Sequence, residues 1–588
     1  MFCVVMVRNI ICYNAFQHMK IIKNQIEHLI GEALRQEFPD KVGSEIPIDY
    51  PTEAIHGDYA CPIALKLGGN PRENAQKLLA AIQKPDWLEK IEIAGPGFLN
   101  FYLAPQFLND FLREIIQAGE HFGESDVFAG KTVVTDSSHP NVAKPMGIHH
   151  ILSTIIGNSL NRIFAAAGYK VVRDNYLGDW GTQFGKLIYA YREWGDEAAV
   201  KKDPIPELLK LYVKFHDEAE KDPSLEDRGR AEFKKLEEGD AENRELWQWV
   251  VDLSKAEFEK IWRRLDVEFD VIHGESFYED KMQPIIEEGI AKGVFVEGER
   301  GALIAPLQDE SMPPAIIRKA DGATLYATRD LARIKYWEDT WHPDVMVNVV
   351  DVAQELYFRQ LVEVAQMLGI TDARNEHVQF GRMSFPEKKM STRKGNIILL
   401  EEVIDEAVER ARAIVEEKNP NLSDAQKTAV AEAVGIGALK YAVLSQNRTT
   451  NVTFTWDKVL ALDGNSAPYL QYAHARASSI LRKAEEEDAG FADTGAGQLQ
   501  EAASLNLARL LPKFPEVVAR AAEFFAPNYI ATYLFDVARA FSAFYAEVPV
   551  LQAEEPERTA RLNLVKATKI VLANGLGLLG GVQAPEEM

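Results

Sequence analysis

The chain lacks the commonest nucleotide-binding signatures. It has no glycine-rich Walker loop and no Gly-x-Gly-x-x-Gly following a strand, which disfavours a P-loop kinase or a dinucleotide dehydrogenase. Cysteine is scarce: Cys3, Cys12 and Cys61 fall in no paired spacing. That excludes a disulfide framework and a cysteine-held zinc, so no protein-bound metal centre is expected, and it fits a reducing cytoplasm. Positive charge is also short. Lysine and arginine number 65 against 89 aspartates and glutamates, a net charge of −24. Nucleic-acid binders carry a basic excess to neutralise phosphates, so total charge speaks against such a partner and leaves room only for a local basic surface. No apolar run reaches the roughly 20 residues that cross a bilayer, and no membrane partner is expected.

With 46% hydrophobic and 26% charged residues, the composition is that of a globular protein with several cores. A length of 588 residues predicts about three or four domains. Residues 1–18 are apolar but broken by Arg8, Asn9 and Asn14; they read as a tail, either disordered or a misassigned start. Residues 19–125 read as a small α+β unit, with helices over 21–38 and 71–82 and two strands around Gly95-Pro96-Gly97. From 126 to 422 the pattern is α/β. Residues 131–136 form a β-branched strand, 151–168 an amphipathic helix ending at glycine, and 170–175 a second strand, which is a crossover unit of a parallel sheet. A charged, helical insertion spans about 190–300, and sheet-like segments resume at 325–328 and 345–350. From 423 to 588 nearly everything has helical period, a separate all-α bundle. The expected class is therefore a multidomain α/β protein with a Rossmann-type parallel sheet, an N-terminal α+β domain and a C-terminal helical bundle.

Two segments carry chemistry. The first is the turn after the first α/β strand, Ser137-Ser138-His139-Pro140-Asn141-Val142-Ala143-Lys144-Pro145-Met146-Gly147-Ile148-His149-His150. It feeds a helix, and a strand-to-helix junction offers backbone N–H groups and a helix dipole to phosphate. The second is Lys389-Met390-Ser391-Thr392-Arg393-Lys394-Gly395. Its three cations among small residues suit a loop that neutralises charge on a triphosphate as pyrophosphate leaves.

Together these segments resemble the HIGH and KMSKS motifs of class I aminoacyl-tRNA synthetases. Residues 138–157, Leu177-Gly178-Asp179-Trp180-Gly181-Thr182-Gln183-Phe184-Gly185 and 380–396 narrow the resemblance to arginyl-tRNA synthetases. Gly57-Asp58-Tyr59-Ala60 with 94–100, and then 438–451, 464–476 and 578–588, extend it over essentially 19–588. The resemblance implies an arginine–tRNA ligase with ATP as substrate, magnesium accompanying the nucleotide, and L-arginine and tRNA(Arg) as partners. A cytoplasmic monomer is expected. It assigns catalysis to His150, Lys389, Ser391, Arg393 and Lys394, and ATP binding to His139, Pro140, Gly147, His149, His150, Lys389 and Met390. Arginine would be held by Asp136, Asn141, His150, Tyr326, Asp330 and Gln354. Asp330 follows Thr328, a good N-cap, so it is expected in the first helical turn, where the dipole favours an ionised carboxylate. The N-terminal domain would grip the tRNA elbow and the bundle the anticodon, with Tyr469, Tyr472, His474 and Arg476 as candidate contacts.

One departure stands out. The family's His-x-Gly-His reads Gly147-Ile148-His149-His150, and the following Leu-Arg reads Ile151-Leu152. The first histidine's phosphate contact is then lost, or supplied by His149 or His139. The departure is the only support for a rival reading, a catalytically impaired paralogue that binds RNA or protein.

Overall fold

The computed structural model describes residues 21–51, 53–298, 301–320, 326–384, 398–486 and 498–588. Residues 1–18, and the cationic loop with Lys389, Met390, Ser391, Arg393 and Lys394, lie outside the described residues. Contacts divide the chain into two units. One comprises Ala129–Arg410 and Ala438–Val459; the other comprises Met1–Phe128, Ala411–Gly437 and Leu460–Met588.

The first unit is built on a parallel five-stranded sheet. In chain order its strands are Thr132–Asp136, Lys170–Leu177, Val271–Gly274, Val345–Asp351 and Arg374–Phe380. In space they run third, second, first, fourth, fifth, all parallel. The first strand is central and buried on both faces, as its Thr-Val-Val-Thr-Asp sequence requires of an inner parallel strand. The order reverses between the first and fourth strands, and ligands of such sheets bind at that point, beyond the carboxyl ends.

The helix His150–Ala166 follows the first strand and is buried on nearly every side, as an all-round apolar helix must be. Gly157 lets it approach the strand end: a Cβ there would lie 2.4 Å from both Cβ and Oγ of Ser137. Between the second and third strands come the helices Thr182–Trp194, Glu197–Lys202, Pro204–Lys221, Ser224–Glu237 and Ala241–Arg264. Their shared core includes Phe184, Leu208, Phe215 and Trp247. Beyond the third strand lies a small antiparallel sheet of Val296–Glu297, Leu303–Ala305 and Ala315–Arg318.

One sequence expectation is corrected. Tyr326–Thr328 is not sheet but the start of the helix Tyr326–Trp341, and Leu325 lies outside the described residues. Thr328 does not cap this helix. It is buried within it, and its hydroxyl donates to the Ile317 carbonyl at 2.5 Å, tying helix to strand. Asp330 consequently sits in the second turn rather than the first.

In the second unit an antiparallel sheet orders Tyr59–Cys61, Phe98–Leu103 and Leu88–Ala94. The helix Pro71–Ala81 starts at proline, with Asn70 as its cap accepting from Arg72 N at 3.1 Å. The helices Ile22–Glu37, Pro105–Ala118, Ala467–Glu486, Ala502–Leu510, Phe514–Glu523, Asn528–Glu547 and Glu557–Leu578 all contribute buried side chains to this unit. Glu516, which is buried, accepts from Tyr50 Oη at 2.5 Å, Tyr59 Oη at 3.1 Å and Lys23 N at 2.9 Å. Asp58 accepts from Leu103 N at 2.7 Å and pairs with Arg509 at 3.4 Å. The N-terminal segment and the C-terminal helices thus share buried polar ties.

Candidate active site

The histidine turn leaves the first strand with Ser138 and His139 at φ 80° and 51°, a left-handed backbone that non-glycine residues rarely adopt and that marks functional turns. Ser153, one turn into the following helix, holds it. Its hydroxyl donates to Val349 O at 2.7 Å on the fourth strand, and its Oγ accepts from Ser138 N at 2.9 Å. Turn, helix and both strands of the switch point therefore meet at one side chain. Pro140 is buried and Asn141 exposed. The Asn141 backbone bridges to Gly178 at the end of the second strand.

His150 is buried and begins the helix; His149 beside it is exposed, the two rings 4.0 Å apart. His150 Nδ1 is held by Gly147, 3.0 Å from its N–H and 3.2 Å from its carbonyl oxygen, which leaves Nε2 as the ring nitrogen for a ligand. Burial, with some help from His149, pushes the His150 imidazole down to about 3. The ring is thus neutral at working pH and acts by hydrogen bond rather than by charge. Burial also lowers His149. Gly147 takes the backbone position of an antiparallel bridge to Leu399, with Ile148 N donating to Ile398 O at 2.9 Å and Leu400 N to Met146 O at 2.9 Å. The chain returning from the cationic loop is therefore stitched onto the histidine turn itself. On the other side of that loop, Met383–Ser384 pairs with Val452–Thr453.

Three of the arginine candidates lie on the elements that precede and follow the fourth strand in the chain. Tyr326 and Asp330 are four residues apart on one helix and so share a face; the Tyr326 ring is 66% exposed and Asp330 is buried. Gln354 is exposed, in the short turn Val352–Gln354 directly after the fourth strand.

Asp136 is placed differently from expectation. Its carboxylate forms an ion pair with Arg333 of this chain, and His139 Nε2 lies 3.0 Å from the same oxygen. Burial raises this carboxyl, but His139 and Arg333 outweigh it and hold the group below its ordinary value. Asp136, expected to face the substrate, thus already has a cation within the chain. Arg333 also donates from Nη2 to Asn348 Oδ1 at 2.9 Å. Asp330 has no such full partner. It accepts from the Tyr357 hydroxyl and faces Arg333 Nε at 3.6 Å. Its pKa is raised, because burial exceeds the lowering from Arg333 and Tyr357.

Glu275 was not foreseen. It follows Gly274, which ends the third strand, and Asp179 fixes it in place by accepting from Ser276 N at 2.8 Å and Ser276 Oγ at 2.7 Å. Glu275 lies 3.4 Å from Arg329, which also pairs with Glu279 at 2.7 Å. Burial pushes the Glu275 carboxyl up to about 7 against the pull of Arg329. Among the described residues, four carboxylates (Asp136, Asp330, Glu275 and Glu279) thus face two guanidiniums, Arg329 and Arg333, with His139 beside Asp136. The cluster can accept a further cation. Among the described residues no group of three or more His, Cys, Asp or Glu side chains is arranged to hold a metal ion.

The bundle candidates divide. His474 is buried, its Nδ1 2.9 Å from Pro585 O; this corrects its reading as an RNA contact, since the ring has no open face. Tyr469 bonds Ser542 Oγ at 3.1 Å and packs on Phe535. Arg476, however, lies over Tyr472 at 4.7 Å and over Tyr545 at 4.4 Å, and both rings are exposed. Tyr545, on a different helix, carried no signal in the sequence.

Comparison with known proteins accords with this geometry. The model of class I tRNA synthetase (R) catalytic domains matches residues 112–456, that of the arginyl tRNA synthetase N-terminal domain 22–103, and that of the DALR anticodon binding domain 470–588. An arginine–tRNA ligase of Fusobacterium nucleatum is 41% identical over 566 residues, 96% of this chain and 99% of that one. Arginine–tRNA ligase 1 of Bacillus cereus is 45% identical over 572 residues, 96% of this chain and 100% of that one. The solved arginyl-tRNA synthetase of Thermus thermophilus superposes with a TM-score of 0.80 at 27% identity, covering 96% of this chain and all of that one. With the switch-point histidine turn, the acidic cluster and matches along its whole length, the chain belongs to the family of class I arginyl-tRNA synthetases.

Proposed function

We propose that the chain ligates arginine to tRNA(Arg) with the following division of labour. The carrying observation is Asp330: a buried carboxylate beside the switch point whose neighbouring guanidinium is already spent on Asp136. A substrate guanidinium, planar and permanently charged, meets that need with paired hydrogen bonds. Tyr326 covers it, Glu275 adds a second charge, and Asn141 and Gln354 hold the amino and carboxylate end.

ATP lies at the start of the helix that opens with His150. The backbone around Pro140 and Gly147 approaches the nucleotide, and His149 stands beside it in place of the usual glycine. His150, neutral, donates to phosphate from Nε2, while Lys389, Arg393 and Lys394, with Met390 and Ser391, close on the triphosphate. Magnesium arrives as part of the nucleotide, held by phosphate and water. The arginine carboxylate attacks the α-phosphate and pyrophosphate leaves. The terminal ribose hydroxyl of tRNA then attacks the adenylate carbonyl, releasing AMP. Neither step needs a protein nucleophile; positioning and charge stabilisation supply the rate.

The working parts are an elbow-binding region at 19–125, a catalytic region at 126–422 with a helical insertion at about 190–300, and an anticodon-binding region at 423–588. Tyr472 and Arg476, joined by Tyr545, offer the stacking surface, while Tyr469 and His474 brace the helix behind it. The enzyme works as a cytoplasmic monomer.

ATP–pyrophosphate exchange in the presence of tRNA tests the reading. Exchange that depends on arginine is expected; exchange that depends on lysine or glutamine instead would overturn it. ATP binding without exchange would favour the impaired paralogue.

A further inference from the structure

A continuous line of polar contacts joins the arginine side of the switch point to the nucleotide side. It starts at Tyr357, whose hydroxyl donates to Asp330. Arg333 Nε stands 3.6 Å from the other oxygen of Asp330, and Arg333 Nη1 pairs with Asp136. His139 reaches Asp136 with Nε2 at 3.0 Å and Ser153 with Nδ1 at 3.3 Å. Ser153 in turn accepts from Ser138 N, in the left-handed turn that leads to His150.

Two features give this line more than one arrangement. Arg333 Nε, Asp136 Oδ1 and His139 Nε2 are all buried and all lack a hydrogen-bond partner, an expensive omission in a protein interior; His139 meets Asp136 at ion-pair distance only. The ion pair therefore has unused capacity on each side. The guanidinium cannot leave, because Tyr176 and Trp337 hold it, each ring centroid 4.8 Å from its carbon. Trp337 is itself fixed by donating to Asp174 at 2.9 Å.

We infer that Arg333, Asp136 and His139 are positioning residues that couple arginine binding to the shape of the nucleotide turn. A substrate guanidinium at Asp330 competes with Arg333 for that carboxylate and repels it as a like charge. Arg333 then tilts toward the open oxygen of Asp136. The shift passes through His139 and Ser153 to the backbone of Ser138, which sets the start of the His150 helix. The coupling is reciprocal, so ATP must tighten arginine by the factor by which arginine tightens ATP. The inference rests on assigning Asp330 to the substrate guanidinium.

Calorimetry on the full chain with tRNA bound tests it, measuring arginine affinity with and without an ATP analogue that carries a methylene between the α- and β-phosphates. In the parent, the analogue tightens arginine by about fivefold or more. In Arg333→Lys, which keeps the charge but loses the fork, and in His139→Asn, the factor falls below about twofold. A merely structural role would weaken either ligand and leave the factor unchanged. That result in both variants, or a parent without coupling, overturns the relay. If Arg333→Lys does not fold, His139→Asn decides alone, since that side chain is 25% exposed. Asp330→Asn separates the two claims: weakened arginine binding there with an unchanged factor in His139→Asn overturns the relay alone, whereas an unchanged arginine affinity removes the Asp330 assignment and the relay with it.

Discussion

Asp330 and Arg333 sit three residues apart on one helix, yet the guanidinium gives its close contact to Asp136 and stays 3.6 Å from Asp330. The pocket thus keeps one buried carboxylate in want of a cation. Asp330→Asn removes the charge and retains the shape. Losing one partner of a buried charge pair costs about 2–5 kcal/mol, so the arginine KM should rise on the order of a hundredfold or more. ATP affinity should change little. Exchange kinetics with each substrate varied in turn measure both, and equal losses would count against a guanidinium role.

Glu275 should make arginine binding depend on pH. Its carboxyl is raised to about 7 by burial, so below that value it is protonated and offers no charge to the substrate. Arginine affinity should fall about tenfold between pH 8 and 6, and Glu275→Gln should flatten the profile at the weaker end. Stability runs the other way. A raised carboxyl stabilises the fold below the ordinary 4.5 and loses that contribution as pH rises to about 7. Calorimetric titrations across this range, with and without the substitution, check both signs.

Much of this was legible in the sequence, for reasons that differ by residue. The first strand, the His150 helix and the Pro71 helix were readable because β-branching, apolar period and capping are local properties. The family was readable from the histidine turn and the cationic loop as motifs, although the loop itself lies outside the described residues. Thr328 misled because a good cap residue also makes a good buried tie, and the Ile317 carbonyl that claims it is distant in sequence. Arg333 and Glu275 were missed for the same kind of reason. Whether an arginine is buried on Asp136, or a glutamate faces Arg329, depends on packing between segments far apart in the chain. His474 and Tyr545 look alike as aromatics on helices; only the packing of the bundle buries one and exposes the other.

Lys389 should carry a heavy share of the phosphate charge. The histidine turn has lost one histidine and the following arginine, and His150 is neutral. Lys389→Ala should therefore slow adenylate formation by well over tenfold, a barrier increase above about 1.4 kcal/mol. Single-turnover formation of arginyl-adenylate, with tRNA present and ATP saturating, isolates the step. A smaller loss would shift the work to Arg393 and Lys394.

Tyr545 tests the stacking surface of the bundle. With Arg476 lying over both exposed rings, Tyr545→Ala and Tyr472→Ala each remove a platform for an unpaired base. Stacking of one base on an aromatic is worth about 1–3 kcal/mol. Each variant should raise the tRNA KM from severalfold to about a hundredfold, with the arginine KM little altered. His474→Ala should instead lower stability without a selective effect on tRNA, as its buried contact to Pro585 predicts.

Glu516 ties the N-terminal sheet to the C-terminal helices through two tyrosine hydroxyls and a backbone N–H. Glu516→Ala would leave the Tyr59 hydroxyl buried without its acceptor, and such an orphan costs about 1–3 kcal/mol. Glu516→Gln retains an acceptor oxygen and removes the buried charge, whose burial raises the carboxyl above its ordinary value. The two variants should therefore differ sharply. The alanine variant should lower the melting temperature of this unit by several degrees, whereas the glutamine variant should stay near the parent at neutral pH. Thermal unfolding followed by limited proteolysis of the N-terminal segment compares them. Equal loss in both would mean that the carboxylate charge, rather than its acceptor capacity, holds the segment in place.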